Sequence, residues 1–361
     1  MKRYSIVIPA YQSRNMLKNT LAAIDRQIGI NEDEYEVIIV DDGSNDGTKE
    51  FVKEVSRKYQ IKYIYLERNA DSCRSRARNF GWKCAEGEKI VFIDADILVK
   101  DDYLAELDRC FSMKEDLLVI GTRIMIPEEV AESSVKDGSV FDDFKFSLEH
   151  KERMEFRHDI FNELSYNSSR MDYPFLYSLS CNLTLPRKWI ESIGGFDEDL
   201  KKWGIEDIEM VYRACKKGIK IVINSKLEVF HQFHGITGNF VDADKVEGVH
   251  ENTGLFLRKH RRAFNEASDA EVYELFNSIA TRFKYVEKKY KINKPEKTID
   301  FVDKEQLQDI KQRILALCAE NDFKIIINDF VEDTDLDIWI QLIENYCNPP
   351  AYYPISKKFI T

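Results

Sequence analysis

Lys89-Ile90-Val91-Phe92-Ile93-Asp94-Ala95-Asp96 is a β-branched and aromatic run that stops at two carboxylates. Upstream, Glu36-Val37-Ile38-Ile39-Val40-Asp41-Asp42-Gly43-Ser44 has the same form, and Tyr4–Ile8 is an earlier strand candidate. Short continuous apolar runs read as strands buried on both faces, as in a parallel sheet. Ile61–Leu66 and Leu117–Ile124 add two more. Between them, apolar residues recur at helical spacing. Leu17, Leu21, Ile24 and Ile28 form one stripe; Phe51, Val52, Val55 and Tyr59 form the next, with Asp46 as its cap. Cys73, Ala77, Phe80, Gly81 and Cys84 mark a third helix, and Leu104, Leu107 and Phe111 a fourth. This alternation predicts an α/β domain, a mostly parallel sheet flanked by helices.

From Pro127 to Tyr177 the periodicity lapses into charge and aromatics, which reads as an insertion with some helix; its rings from Phe141 to Tyr177 either stack on sugar rings or, the default, pack over the sheet. Pro186 opens a short helix that Gly194-Gly195 closes, and a second helix runs from Glu206 to Gly218. Strands are expected at Lys220–Ile223 and Leu227–Phe230. The division is then residues 1–260 as one domain, with 127–177 inserted, and 261–361 as a helical C-terminal region. The 361 residues carry 53 Lys plus Arg against 64 Asp plus Glu, a net charge of −11, which argues against a nucleic-acid or anionic-lipid partner. No apolar run reaches the ~18 residues of a membrane span. Seven cysteines without a CxxC pair argue against a disulfide framework or zinc site, and a cytoplasmic setting is expected.

In a parallel sheet, Asp41-Asp42 and Asp94-Ala95-Asp96 both fall at the carboxyl edge, where such folds bind ligands. Asp-x-Asp after a buried strand suits a hard divalent ion that also holds a diphosphate. Either cluster alone reads equally well as a helix cap or turn; two at equivalent strand ends favour a site. Gly-x-Gly-x-x-Gly and the P-loop pattern are both absent, which disfavours dinucleotide and P-loop enzymes. His231-Gln232-Phe233-His234 follows another strand, and imidazole beside carboxylate suits Mn²⁺ or Mg²⁺. Glu206-Asp207 opens a helix, whose dipole favours an ionised Asp207 at neutral pH. Trp203-Gly204 just before it offers a stacking face and a close-approach turn. Gly235 to His250 reads equally as a lid or as a surface loop.

Taken together, Ser5-Ile6-Val7-Ile8-Pro9-Ala10-Tyr11, Val40-Asp41-Asp42-Gly43-Ser44-Asn45-Asp46-Gly47-Thr48, Ala77-Arg78-Asn79 and Asp94-Ala95-Asp96 resemble a family 2 glycosyltransferase of the GT-A fold, a Rossmann-like nucleotide-sugar-binding architecture. Asn182-Leu183, Gly194-Gly195-Phe196-Asp197 and Trp203-Gly204-Ile205-Glu206-Asp207 extend the resemblance to about residue 260, the last being similar to the acceptor motif of chondroitin-polymerase-type and galactosyltransferase-like enzymes. The resemblance implies a metal-dependent, inverting transfer from a UDP-sugar. It puts Pro9, Ala10 and Tyr11 around uridine and Asp41 or Asp42 on the base. Arg78, Asp94 and Ala95 fall at the nucleotide, ribose or donor sugar, and Asp96 and His231 on the ion. Trp203 and Glu206 are placed at the acceptor, with Asp207 as general base. The loop Ala70-Asp71-Ser72-Cys73-Arg74 departs from the glycine-containing turn usual there. The implied acceptor is a cell-surface glycan, with a peptide or small natural product as the second reading. Rival classes are a nucleotidyltransferase, which the absence of a glycine-rich, lysine-containing first loop disfavours, and a non-catalytic sugar-binding module, which would be expected to lose Asp94, Asp96 or Asp207.

Overall fold

A computed structural model describes residues 2–235, 243–261, 263–264, 267–277, 294–343 and 348–358. The first half alternates as expected: β1 (Tyr4–Ala10), α1 (Arg14–Ile24), β2 (Tyr35–Asp41), α2 (Thr48–Glu54), β3 (Gln60–Tyr65), α3 (Arg74–Lys83), β4 (Lys89–Phe92), β5 (Ile97–Leu98), α4 (Tyr103–Met113) and β6 (Leu117–Met125). The insertion holds α5 (Glu132–Asp137), α6 (Ser139–Asp143) and α7 (Phe156–Glu163). Then follow β7 (Leu183–Pro186), α8 (Arg187–Ile193), α9 (Glu206–Lys216), β8 (Lys220–His231), α10 (Ala243–Lys259) and α11 (Asp269–Asn277).

These strands form one eight-stranded sheet in the order β3-β2-β1-β4-β7-β6-β8-β5. β1 to β4 are mutually parallel, and so are β6 and β8; β7 and β5 run antiparallel to their neighbours. All six of those parallel strands therefore end at one edge, where Ala10, Asp41, Phe92 and His231 lie. Alternate residues of β1 feed two cores. Ile6 and Ile8 pack with α1 and α4, whereas Val7 packs with α3 and α9. The approach of α3 is close: a Cβ on Gly81 would sit 2.3 Å from Val7 Cγ1. The insertion's rings are core, since Phe161, Tyr166, Phe175 and Tyr177 are buried and Phe141 lies edge-on to Phe230 at 5.2 Å.

Some readings need correction: α2 ends at Glu54, so Val55 and Tyr59 lie beyond it, and Phe80 and Cys84 of the third stripe are exposed. Ile28 is exposed, because α1 ends at Ile24 before its last turn could bury it. The two strands expected over 220–230 are one, β8, whose pairing with β6 shifts register where Ile223 and Glu228 face Ile120 and Thr122. The region beyond 261 is not purely helical. β9 (Glu296–Phe301), α12 (Leu307–Glu320), β10 (Lys324–Asp329), α13 (Thr334–Leu342) and β11 (Ala351–Pro354) build a second, three-stranded parallel sheet in the order β11-β10-β9.

This C-terminal unit is bolted to the register shift in β8. Gln341 on α13 accepts from Ile223 N–H at 2.8 Å and donates to its carbonyl at 2.6 Å. Asp337 accepts from the Ser225 hydroxyl at 3.1 Å. Lys357 donates to the Ser225 carbonyl and pairs with Glu228 at 2.9 Å. Backbone groups left without a ladder partner are thus satisfied by side chains far along the chain, 118 residues on for Gln341 and 132 for Lys357, as burial requires. Burial works against the Glu228 charge, but Lys357 and Lys100 outweigh it and hold the carboxyl low.

Candidate active site

Two groups of side chains converge at the carboxyl edge. The first is built by a reversal. After β4, Asp94 accepts from the Ile97 N–H at 3.2 Å, closing a turn, and β5 then pairs antiparallel with the end of β8, Ile97 opposite His231. Asp96 is thereby carried against that strand, its carbonyl accepting from Gln232 N–H at 2.9 Å. Asp96 Oδ2 lies 3.3 Å from His231 Nε2 and 3.8 Å from His234 Nε2. One ligand atom from each of the three falls within 4.8 Å of the others. The other Asp96 oxygen is buried with no partner. Burial lowers the His231 pKa despite Asp96, which favours the neutral imidazole that ligates metals. A carboxylate with one buried, unpartnered oxygen beside two imidazoles fits a divalent ion. The sequence leaves open which of His231 and His234 faces the ion, with His231 preferred; both lie within reach of Asp96.

The second group centres on Arg78, which α3 buries completely. Its guanidinium donates to Asp94 at 3.0 Å and to Glu206 at 3.1 Å, tying the strand-end carboxylates to the N-terminus of α9. Burial opposes the Asp94 charge, yet Arg78 beside it holds the carboxyl below its usual range. Asp207 follows Glu206 and accepts from the Ile208 N–H at 2.9 Å and the Ser180 N–H at 3.2 Å. Its expected full ionisation at neutral pH does not hold. Burial first, and then Glu206, push its carboxyl up to about 7, outweighing Arg78 and those two N–H groups.

Backbone strain lies just upstream. Ile205 has φ +77° and caps α9, a conformation costly for a β-branched residue. Its neighbours hold it there: Asn252 on α10 donates to the Gly204 carbonyl at 2.7 Å, and Glu209 N–H to the Ile205 carbonyl at 2.8 Å. Trp203 stands half-exposed beside this turn. Of the expected lid, residues 236–242 lie outside the described residues, and 243–250 begin α10.

The nucleobase side is ordered by the β1–β2 register, which sets Ala10 beside Asp41. Asp41 is fully buried, with one oxygen accepting from Ser44 N–H at 2.8 Å and the other from the Tyr63 hydroxyl at 2.6 Å. Asp42 sits nearer the surface, paired with Arg68 at 2.9 Å and accepting from the Ser72 hydroxyl at 2.9 Å. The departing loop therefore supplies Asp42's partner. Arg68 lies 3.8 Å over the exposed Tyr11 ring, beside Pro9. The Ala95 side chain is buried, and its carbonyl accepts from the Thr20 hydroxyl at 2.8 Å. One charged residue went unread: Arg123 on β6, which lies near Glu155 at 3.5 Å and Cys181 Sγ at 3.7 Å and feels the charges of Asp94 and Asp96. A lone arginine inside the apolar run Leu117–Ile124 was its signal.

Comparison with known proteins bears on the family and the fold. Residues 5–172 match Glycosyl transferase family 2, and residues 162–235 match the N-terminal domain of galactosyltransferase. Validoxylamine A glucosyltransferase of Streptomyces hygroscopicus subsp. jinggangensis is 28% identical over 273 residues, 71% of this chain and 60% of that protein. The chain thus spans somewhat over half the length of that relative. Among solved structures, S. aureus TarS 1–349 in complex with UDP superposes with a TM-score of 0.53 at 18% identity, covering 86% of this chain and 79% of that one. The mannosyltransferase PcManGT from Pyrobaculum calidifontis, in complex with GDP-Man and Mn²⁺, gives 0.50 at 14% identity, covering 87% and 80%. Both share the GT-A-like fold.

Proposed function

We propose, on the premise that this chain belongs to glycosyl transferase family 2, that it is a metal-dependent, inverting glycosyltransferase using a UDP-sugar donor. The observation that carries the reading is Arg78, one buried guanidinium joining Asp94 at the donor strand to Glu206 at the acceptor helix. Asp96, His231 and His234 would hold Mn²⁺ or Mg²⁺, which when bound offsets the charge of the diphosphate. The chain's own residues do the rest. Asp207, with its carboxyl near 7, takes the proton of the acceptor hydroxyl as that oxygen attacks the anomeric carbon and the bond to the diphosphate breaks, releasing UDP. Glu206 keeps one buried oxygen unpartnered, available to a second acceptor hydroxyl. Trp203 offers a face to the acceptor ring. Tyr11 and Arg68 flank the base, and Asp42, the less buried of the two candidates, reads the uracil N–H.

The acceptor is a glycan of cell-surface polysaccharide type, with a cytoplasmic site of action. Incubation with UDP-, GDP- and CDP-sugars, with Mn²⁺ or with chelator, tests the reading. UDP release from UDP-sugars alone, lost with chelator, supports it; release from none of the donors overturns it.

A further inference from the structure

Beside the acceptor loop lies a cleft of about 380 Å³, within the ~300–1,000 Å³ range of ligand pockets. Lys201 and Lys202, running directly into Trp203, form one wall; His250, Asn252 and Arg258 of α10 and Tyr273 of α11 form the other. The walls are fastened together. Asn252 donates to the carbonyls of Lys202 at 3.2 Å and Gly204 at 2.7 Å. One turn earlier, a Cβ on Gly248 would come within 3.0 Å of the Trp203 nitrogen. A single helix therefore runs from beneath Trp203 to the cleft, so an acceptor reaching Asp207 past Trp203 has this cleft beside its next unit.

The lining has a flat side and a surplus charge. His250 and Tyr273 stack with centroids 4.4 Å apart and planes at 29°. Lys201 is paired with Asp71 at 2.7 Å, and Lys202 with Glu251 at 3.7 Å. Asp199, also on the wall, is held by Lys259 at 2.6 Å. Arg258, exposed on α10, makes no ion pair among the described residues. Its guanidinium is the surplus cation of a cleft whose other charges are matched, on a chain of net charge −11.

Resting on the transferase reading, we propose that this cleft is a second acceptor subsite that takes an anionic glycan unit, its carboxylate or phosphodiester bonded by Arg258. Calorimetry on the full chain tests it with three probes: a tetrasaccharide alternating uronate and N-acetylhexosamine, an oligomer of ribitol phosphate, and neutral cellotetraose. One anionic probe should bind at least about tenfold tighter than cellotetraose, and which one does separates carboxylate from phosphate. Arg258→Gln should remove that advantage, a loss of about ten- to a hundredfold for one charge-assisted contact. Its acceptor-free UDP release should match the parent's. Equal affinity for all three probes, no binding of either anionic probe, or an undiminished preference in Arg258→Gln overturns the proposal. Anionic preference in a chain that releases no UDP from any donor would count against the transferase reading while leaving the cleft assignment standing.

Discussion

Asp207→Asn should make the protein more stable and the enzyme nearly inactive. In the folded chain the carboxyl rises from 3.8 to about 7 because burial and Glu206 disfavour its charge. Three units correspond to about 4 kcal/mol. For a raised carboxyl, the unfolded chain releases its proton first, so the cost grows from pH 4 to 7 and is flat above. Asparagine carries no such cost, but its amide cannot accept from both Ile208 and Ser180 N–H, a loss of about 1 kcal/mol. The variant should therefore lie within about 1 kcal/mol of the parent at pH 5 and about 3 kcal/mol above it at pH 8. Urea denaturation at the two pH values measures this. UDP affinity should be unchanged, while transfer should fall by roughly 10²–10⁴. In the parent, the rate should rise as pH climbs through about 7, where Asp207 ionises. If Asp207 only caps α9, the outcome inverts: Asn destabilises or is neutral at pH 8 and transfer persists. That result would exclude Asp207 as the base.

Lys357→Met should cost about 3–5 kcal/mol, because Glu228 is left buried beside Lys100 alone; a loss under 1 kcal/mol in denaturant titration would deny the C-terminal unit its anchoring role. Asp42→Asn should erase the preference for UDP over CDP, whereas Asp41→Asn, at a fully buried position bonded to Ser44 and Tyr63, should mainly lower the melting temperature; competition binding distinguishes the two. His231→Ala and His234→Ala should each weaken Mn²⁺ binding about 10–100-fold while sparing metal-free UDP binding; an unaffected His234→Ala would remove it from the ligand set.

The strand-end carboxylates were legible because Asp94 and Asp96 follow an apolar run long enough to be a buried strand. β7 was not, since Leu183–Pro186 is four residues ending in proline, and β5 is two residues long. Yet β5 is what turns Asp96 onto His231, so the metal set needed a pairing that no local pattern encodes. For the same reason the sequence could not choose between His231 and His234. The strand Lys324–Asp329 was readable from Ile325-Ile326-Ile327, but its polar surroundings masked it. Arg78 was assigned to the donor side; its bond to Glu206, 128 residues on, is tertiary. Asp207's pKa was misjudged because sequence shows the helix dipole and hides burial.

The most direct measurement is calorimetric titration of UDP with Mn²⁺ into the parent and Asp96→Ala. The parent should bind UDP in a Mn²⁺-dependent manner and the variant should lose that binding, because the diphosphate then meets Asp94 without the ion. Equal Mn²⁺-dependent affinity in both proteins would contradict this.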